Sequence, residues 1–141
     1  MNIEVTTASN ADYLWVAADR IRFLGGVPGS DLELLDIEVP PGSGTPPHIH
    51  DSPELFYILE GEMTLRQFGA GLPPQVIKAG PGTAVRVPSR VPHNYSNESD
   101  KPIRKYDDGA RGCQQAVPSR RLAISPMLHP TVELTAGKKM W

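Results

Sequence analysis

The 141-residue sequence predicts an all-β domain, a sandwich or barrel of short antiparallel strands. Three observations carry this expectation. From Gly42 to Lys101 no stretch sustains the 3.6-residue apolar period of an amphipathic helix. Turn-forming Gly and Pro clusters recur there at intervals of about eight to twelve residues, the spacing of short strands. Between them lie runs that either alternate with period 2 or are rich in β-branched and aromatic residues. Thirteen Gly and fifteen Pro, about a fifth of the chain, agree with many turns yet fall short of the roughly 25–30% of low-complexity chains.

Weak strand signals come first, at Ile3-Glu4-Val5-Thr6-Thr7 and Arg20-Ile21-Arg22-Phe23-Leu24, the second closed by Gly25-Gly26-Val27-Pro28-Gly29. Leu35, Ile37 and Val39 alternate with Asp36 and Glu38, a half-buried strand that Pro40-Pro41-Gly42 ends. Leu55 to Leu59 forms the next strand, and Gly61 separates it from one in which Met63 and Leu65 alternate with Thr64 and Arg66. Shorter strands follow at Gln75 to Lys78, at Ala84 to Val87 and from His93 to Ser96 after Pro88. Beyond that, 109–119 reads as loop and 120–128 as a strand or short helix, so the domain is expected to carry less regular extensions at both ends. No internal repeat is found, and the length fits one domain over 1–141.

Composition removes several classes of function. Fourteen basic and sixteen acidic residues give a net charge of −2, which leaves no electrostatic footprint for nucleic acid or an anionic membrane. Apolar runs of about five residues are far below the roughly twenty that span a bilayer. The N-terminus lacks the basic and apolar regions of a secretory signal, so a cytoplasmic location is expected. The single Cys113 has no internal disulfide partner and no zinc-finger spacing, and reads as an inert thiol.

The chemistry concentrates on histidine. His48 and His50 lie two residues apart, so on an extended strand both imidazoles leave from one face as a chelating pair. Glu54 follows across Asp51-Ser52-Pro53, a turn-prone stretch that can return its carboxylate toward them. His93, on a later hairpin packed alongside, would complete a set of three nitrogens and one oxygen. A set without thiolates is unlike a structural zinc finger, and its nitrogen content disfavours Ca²⁺ and Mg²⁺, leaving Mn, Fe, Co, Ni, Cu or Zn. His129, between Leu128 and Pro130, has no partner and reads as an ordinary side chain.

Gly42, His48, His50, Glu54 and Gly61 stand as G-x5-H-x-H-x3-E-x6-G, and at these residues the sequence resembles the cupin superfamily, matching its first signature at every fixed position. Gly82, Pro88, His93 and Asn97 match the second, G-x5-P-x-G-x2-H-x3-N, except that Arg90 takes the middle Gly position. The resemblance implies a conserved β-barrel, a small jelly roll of two antiparallel sheets, with its metal-site core over about 32–106. It also implies one divalent transition metal held by His48, His50, Glu54 and His93.

Within such a barrel, strand parity points Phe56, Ile58, Met63, Leu65, Val85 and Val87 into a largely apolar substrate pocket. Tyr95 shares the parity of His93 and could offer a phenolic hydrogen bond, although a hydroxyl satisfied within the protein is the commoner outcome. Arg90 stands where the family's Gly suits positive φ; either the turn differs or strain is tolerated, and its guanidinium is a candidate anchor for an anionic substrate.

Three functions follow for a small-molecule substrate. The leading one, from resemblance to quercetin-dioxygenase-like cupins, is a dioxygenase acting on a phenol, enol or diketone, which favours Fe, Mn or Ni over Zn or Cu. Glu54 would act there both as ligand and as the base for the substrate hydroxyl. The second is a redox-neutral isomerase, decarboxylase, lyase or polyketide cyclase using the metal as Lewis acid, and the third a non-catalytic ligand-binding barrel. Exposed strand edges, and the pairing common among single-barrel cupins, lead us to expect a homodimer.

Overall fold

The computed structural model describes residues 2–16, 18–108 and 135–137, the last as backbone only. Cys113, His129 and the undecided segment 120–128 lie outside the described residues. The strands are β1 (Asp12–Val16), β2 (Asp19–Gly26), β3 (Glu33–Val39), β4 (Glu54–Glu60), β5 (Met63–Gly69), β6 (Leu72–Ala79), β7 (Ala84–Val87), β8 (His93–Ser96), β9 (Ile103–Asp108) and β10 (Thr135–Gly137). They form two antiparallel sheets, a seven-stranded one in the order β10-β1-β2-β3-β9-β4-β7 and a three-stranded one in the order β6-β5-β8. The described residues contain no helix, and therefore none long and apolar enough to cross a membrane.

Alternation decides which residues enter the space between the sheets. Leu35, Ile37 and Val39 of β3, Phe56 and Ile58 of β4, Met63 and Leu65 of β5, and Ile103 of β9 are all buried and form one core cluster. Register aligns them in rows: Ile37 lies opposite Lys105, and Lys105 opposite Ile58. Gly61 turns the chain between β4 and β5 at φ 80°, where a Cβ atom would lie 2.7 Å from the Pro102 carbonyl oxygen. Only glycine meets both demands.

Two expectations need correction. Ile3 to Thr7 forms no strand; Ile3 and Val5 are 94% and 80% exposed, and the first strand is instead Asp12–Val16. Propensity makes a strand only where a neighbour supplies the hydrogen-bond ladder, and β2 supplies one to β1. The strand expected at Gln75 to Lys78 extends back through Pro73 and Pro74 to Leu72. Prolines are tolerated there because β6 is at a sheet edge, where one side of the backbone needs no partner.

Candidate metal centre

The ligands meet because two chain segments are laced together by main-chain bonds. His48 and His93 form an antiparallel bridge, each amide donating to the other's carbonyl at 3.0 Å. The Arg90 amide donates to the His50 carbonyl at 2.8 Å, and the Thr45 amide to the Tyr95 carbonyl at 2.9 Å. The chain approaches β8 so closely at Gly44 that a Cβ there would sit 2.3 Å from the Tyr95 carbonyl oxygen. Glu54 then opens β4 directly after the Asp51-Ser52-Pro53 turn.

The result is a convergent set: one ligand atom from each of His48, His50, Glu54 and His93, all within 4.8 Å of one another. Each imidazole is held from behind by a carbonyl, His48 Nδ1 by Pro46 O at 2.8 Å, His50 Nδ1 by Ser52 O at 2.6 Å and His93 Nδ1 by Val91 O at 2.7 Å. Because a carbonyl can only accept, each Nδ1 carries the proton and each Nε2 presents a lone pair. Nε2 of His50 and of His93 is buried without a hydrogen-bond partner. The His50 lone pair faces the Glu54 carboxylate at 2.9 Å, and His93 Nε2 lies 3.6 Å from its other oxygen. Lone pairs so placed repel unless a cation or proton lies between them, and the backing carbonyls are the usual second support of metal-bound histidine.

Electrostatics point the same way. Burial would raise the Glu54 carboxyl, but in the absence of a metal ion hydrogen bonds from protonated His50 and His93, together with Lys105, outweigh it and hold Glu54 far below the usual carboxylate range. The Glu54 carboxylate raises His50, whereas burial lowers His48. Deeper in the barrel sits a group that the sequence gives little reason to expect: Lys105, 1% exposed, with Nζ 3.0 Å from Asp107 Oδ1 and 4.2 and 4.7 Å from the ring centres of Phe56 and Tyr95. Burial raises Asp107 to about 6 despite Lys105, and burial also raises Asp19 against its bonds from Ser43 and Tyr95. Three neutral imidazoles and one carboxylate converge their lone pairs on one point, so the residues present fit a divalent transition-metal ion.

Other site expectations are redrawn by depth. Phe56 and Tyr95 lie one two-residue strand step beyond Glu54 and His93, Phe56 in the core cluster and Tyr95 packed against it, with the Lys105 ammonium over both rings. Ile58, Met63, Leu65 and Val87 are packed in the core cluster and Val85 packs against it, so they support the site and do not line open space. Parity identifies the face of a strand but not how far along the barrel a residue lies. The Tyr95 hydroxyl donates to Asp19 Oδ2 at 2.6 Å, so it is satisfied within the protein, the commoner of the two outcomes expected, and its proton is not offered to a substrate.

Arg90 keeps the family's turn in the left-handed region at φ 61°, and its guanidinium reaches solvent and Asp51 Oδ1 at 2.6 Å. Replacing Arg90 with Gly is therefore expected to stabilise the protein by about 1 kcal/mol, since a side chain at this φ costs about that much and an exposed ion pair offsets little. Urea denaturation would show it as a higher midpoint at an unchanged slope; a lower midpoint would mean that the Asp51 pair outweighs the backbone term.

Fold and site together define a β-barrel of two antiparallel sheets in which His48, His50, Glu54 and His93 could hold a metal ion. Residues 35–107 match the cupin domain family, and the chain belongs to it. Among solved structures, the polyketide cyclase RemF from Streptomyces resistomycificus is similar at TM-score 0.63 and 26% identity, over 75% of this chain and 78% of that one. A Cupin 2 conserved barrel domain protein from Salinispora arenicola CNS-205 is similar at TM-score 0.57 and 22% identity, over 76% and 86%. An oxalate oxidase is similar at TM-score 0.53 and 17% identity, over 63% of this chain and 49% of that one. No curated protein matches the sequence.

Proposed function

We propose that the protein is a metal-dependent enzyme that binds an enolic, phenolic or diketone molecule through oxygen and catalyses a redox-neutral ring closure or isomerisation. The observation that carries this reading is the convergent His48, His50, Glu54 and His93 set, deeply buried on the His93 side but partly open at His50 and Glu54, whose side chains are 18% and 22% exposed. The likeness to a polyketide cyclase, at 26% identity over most of both chains, favours the redox-neutral reaction over the dioxygenase that ranked first on sequence.

His48, His50, Glu54 and His93 would hold a divalent ion, which would supply Lewis acidity toward a substrate oxygen. The protein's own groups do the rest. Glu54, whose ionised form the Lys105 ammonium favours, takes the enol proton on a carboxylate oxygen. The enol carbon then forms a bond to a carbonyl carbon of the same molecule, and that carbonyl's oxygen receives the proton. Phe56, in the core cluster, and Tyr95, packed against it, close the inner side to water. Dioxygen chemistry is the second reading, supported by the nitrogen-rich, thiolate-free donor set, which suits Fe, Mn, Ni and Cu as well as Zn.

The test is turnover of a panel of β-diketones, linear poly-β-carbonyls and polyphenols by metal-loaded protein, with and without oxygen. Equal product under both conditions and no oxygen uptake support the redox-neutral reading; strict oxygen dependence overturns it in favour of a dioxygenase. Glu54→Gln is expected to lower kcat by about 100-fold or more, within the range for loss of a general base. Full activity in that variant would remove the proton-transfer role.

A further inference from the structure

Among the described residues seven have positive φ; six are glycines, and the seventh is Arg90 at 61°. The chain thus uses glycine wherever a turn needs this conformation, except at the turn beside the candidate metal centre, where it holds a long cationic side chain against the backbone's preference. Strain kept at a site points to a use for the residue that carries it. The Arg90 turn is tied to two of the four residues that could hold the ion. Its amide donates to the His50 carbonyl at 2.8 Å, and the carbonyl of the next residue, Val91, accepts from His93 Nδ1 at 2.7 Å. The guanidinium donates through Nη1 to Asp51 Oδ1 at 2.6 Å, and Asp51 directly follows His50. His50 and Glu54 face the open side of the set, with side chains 18% and 22% exposed against 5% for His93. Arg90 and Asp51, 71% and 86% exposed, stand beside His50 at the rim of that side.

We infer that Arg90 selects substrates that carry a carboxylate: its guanidinium takes that group at the rim in place of Asp51, while the enol or diketone oxygens of the same molecule reach the centre. The inference rests on the function proposed above and adds the charge of the substrate to it. Asp51 shows that the guanidinium, where it stands, accepts a carboxylate. A guanidinium presents paired N–H groups in a planar fork that matches both oxygens of a carboxylate, and the Asp51 bond uses one nitrogen of that fork. An ion pair as exposed as this one is weak, so an incoming carboxylate displaces Asp51 at little cost. Asp51 and Glu54 also oppose the approach of an anion to the open side, and like charges brought together discriminate strongly against a ligand. A cation at the rim removes that barrier, and Arg90 supplies it. The carboxylate must lie a few bonds from the diketone, because the guanidinium stands at the rim and the ligand atoms of the set lie further in.

Calorimetric titration of the zinc-loaded full chain with succinylacetone and with its methyl ester tests this, since the two probes share a diketone and differ in the carboxylate. The wild type is expected to bind the acid about 10-fold more tightly than the ester, as a hydrogen-bonded charge pair allows. Added salt should shrink that preference, because charges at the rim are screened. Arg90→Gly is expected to bind the acid no more tightly than the ester, and Arg90→Lys to keep part of the preference. Asp51→Asn frees the fork and removes the competing carboxylate, so it is expected to tighten binding of the acid by about 3-fold or more. An Arg90 that merely ties two turns together would not produce a gain of that sign. Zinc content equal to that of the wild type reports an intact centre in each variant. A wild type that binds acid and ester equally overturns the inference and leaves the proposed function standing, because binding of the ester alone reports a diketone held in the barrel. A preference that survives in Arg90→Gly, or an Asp51→Asn variant that binds the acid more weakly, also overturns it. Binding of neither probe overturns both readings.

Discussion

Replacing His93 with Ala is expected to lower metal affinity by more than about 100-fold, since loss of an outer-sphere partner alone costs about 10–100-fold and His93 supplies a ligand atom. The barrel is expected to survive, because the bonds that pin His93 to His48 run through the main chain. At metal concentrations that saturate the wild type, a 100-fold loss is worth about 2.7 kcal/mol of folding free energy, so metal-induced protection against heat should largely vanish. Metal per chain after purification, measured by mass spectrometry, is the direct readout; equal occupancy in variant and wild type would remove His93 from the coordination set.

Acid should reproduce the effect, since a protonated imidazole cannot ligate. Glu54 raises His50, so protons compete for that nitrogen at a higher pH than at an ordinary histidine, whereas His48, lowered by burial, resists protonation longest. Occupancy should therefore fall as pH drops through the raised His50 titration, and Glu54→Gln should shift that loss to lower pH if it still binds metal. An occupancy that ignores pH in this range would contradict the role of His50.

The sequence revealed the four residues that could hold a metal ion and concealed what lies under them, for physical reasons. His48 and His50 are legible because an extended chain has one geometry, and their spacing converts directly into a shared face. Arg90 is legible as a glycine-like position from the signature, and its φ of 61° agrees. β9 offers no such pattern. Ile103, Arg104, Lys105, Tyr106, Asp107 and Asp108 alternate nothing apolar with anything polar, and charged residues are ordinarily read as solvent-facing. Only the register, with Lys105 between Ile37 and Ile58 and Asp107 between Leu35 and Phe56, turns both inward. Likewise Asp19 is identified as an interior group only by the Tyr95 hydroxyl and Ser43, 76 and 24 residues away in sequence. Long-range pairing fixed these positions, and local composition does not encode it.

The buried pair they form gives the second large effect. Lys105→Met is expected to destabilise the protein by about 3–5 kcal/mol, because it strands the Asp107 carboxylate without its cation in the core. The pH dependence fixes the sign. Asp107 titrates at about 6 in the folded chain against an unfolded value near 3.8, so the folded state binds the extra proton between those values, and the group's contribution to stability falls as pH rises across that window. Without Lys105 the folded value moves higher and the decline continues toward neutrality, so the variant's deficit is expected to widen from pH 4 to pH 7. Urea denaturation at several pH values would show it, and a deficit that narrows with pH would refute the account. A Lys105→Met, Asp107→Leu double variant removes both charges and is expected to recover most of the loss, with a coupling of about 3 kcal/mol in the cycle. Its metal content then separates two reasons for keeping a costly ion pair beneath the centre. If it binds metal and turns over as the wild type does, the pair serves only packing between Phe56 and Tyr95. If it is as stable as the wild type but its activity falls, the ammonium acts through the field that keeps Glu54 ionised, and the barrel accepts a buried charge for the sake of the chemistry above it.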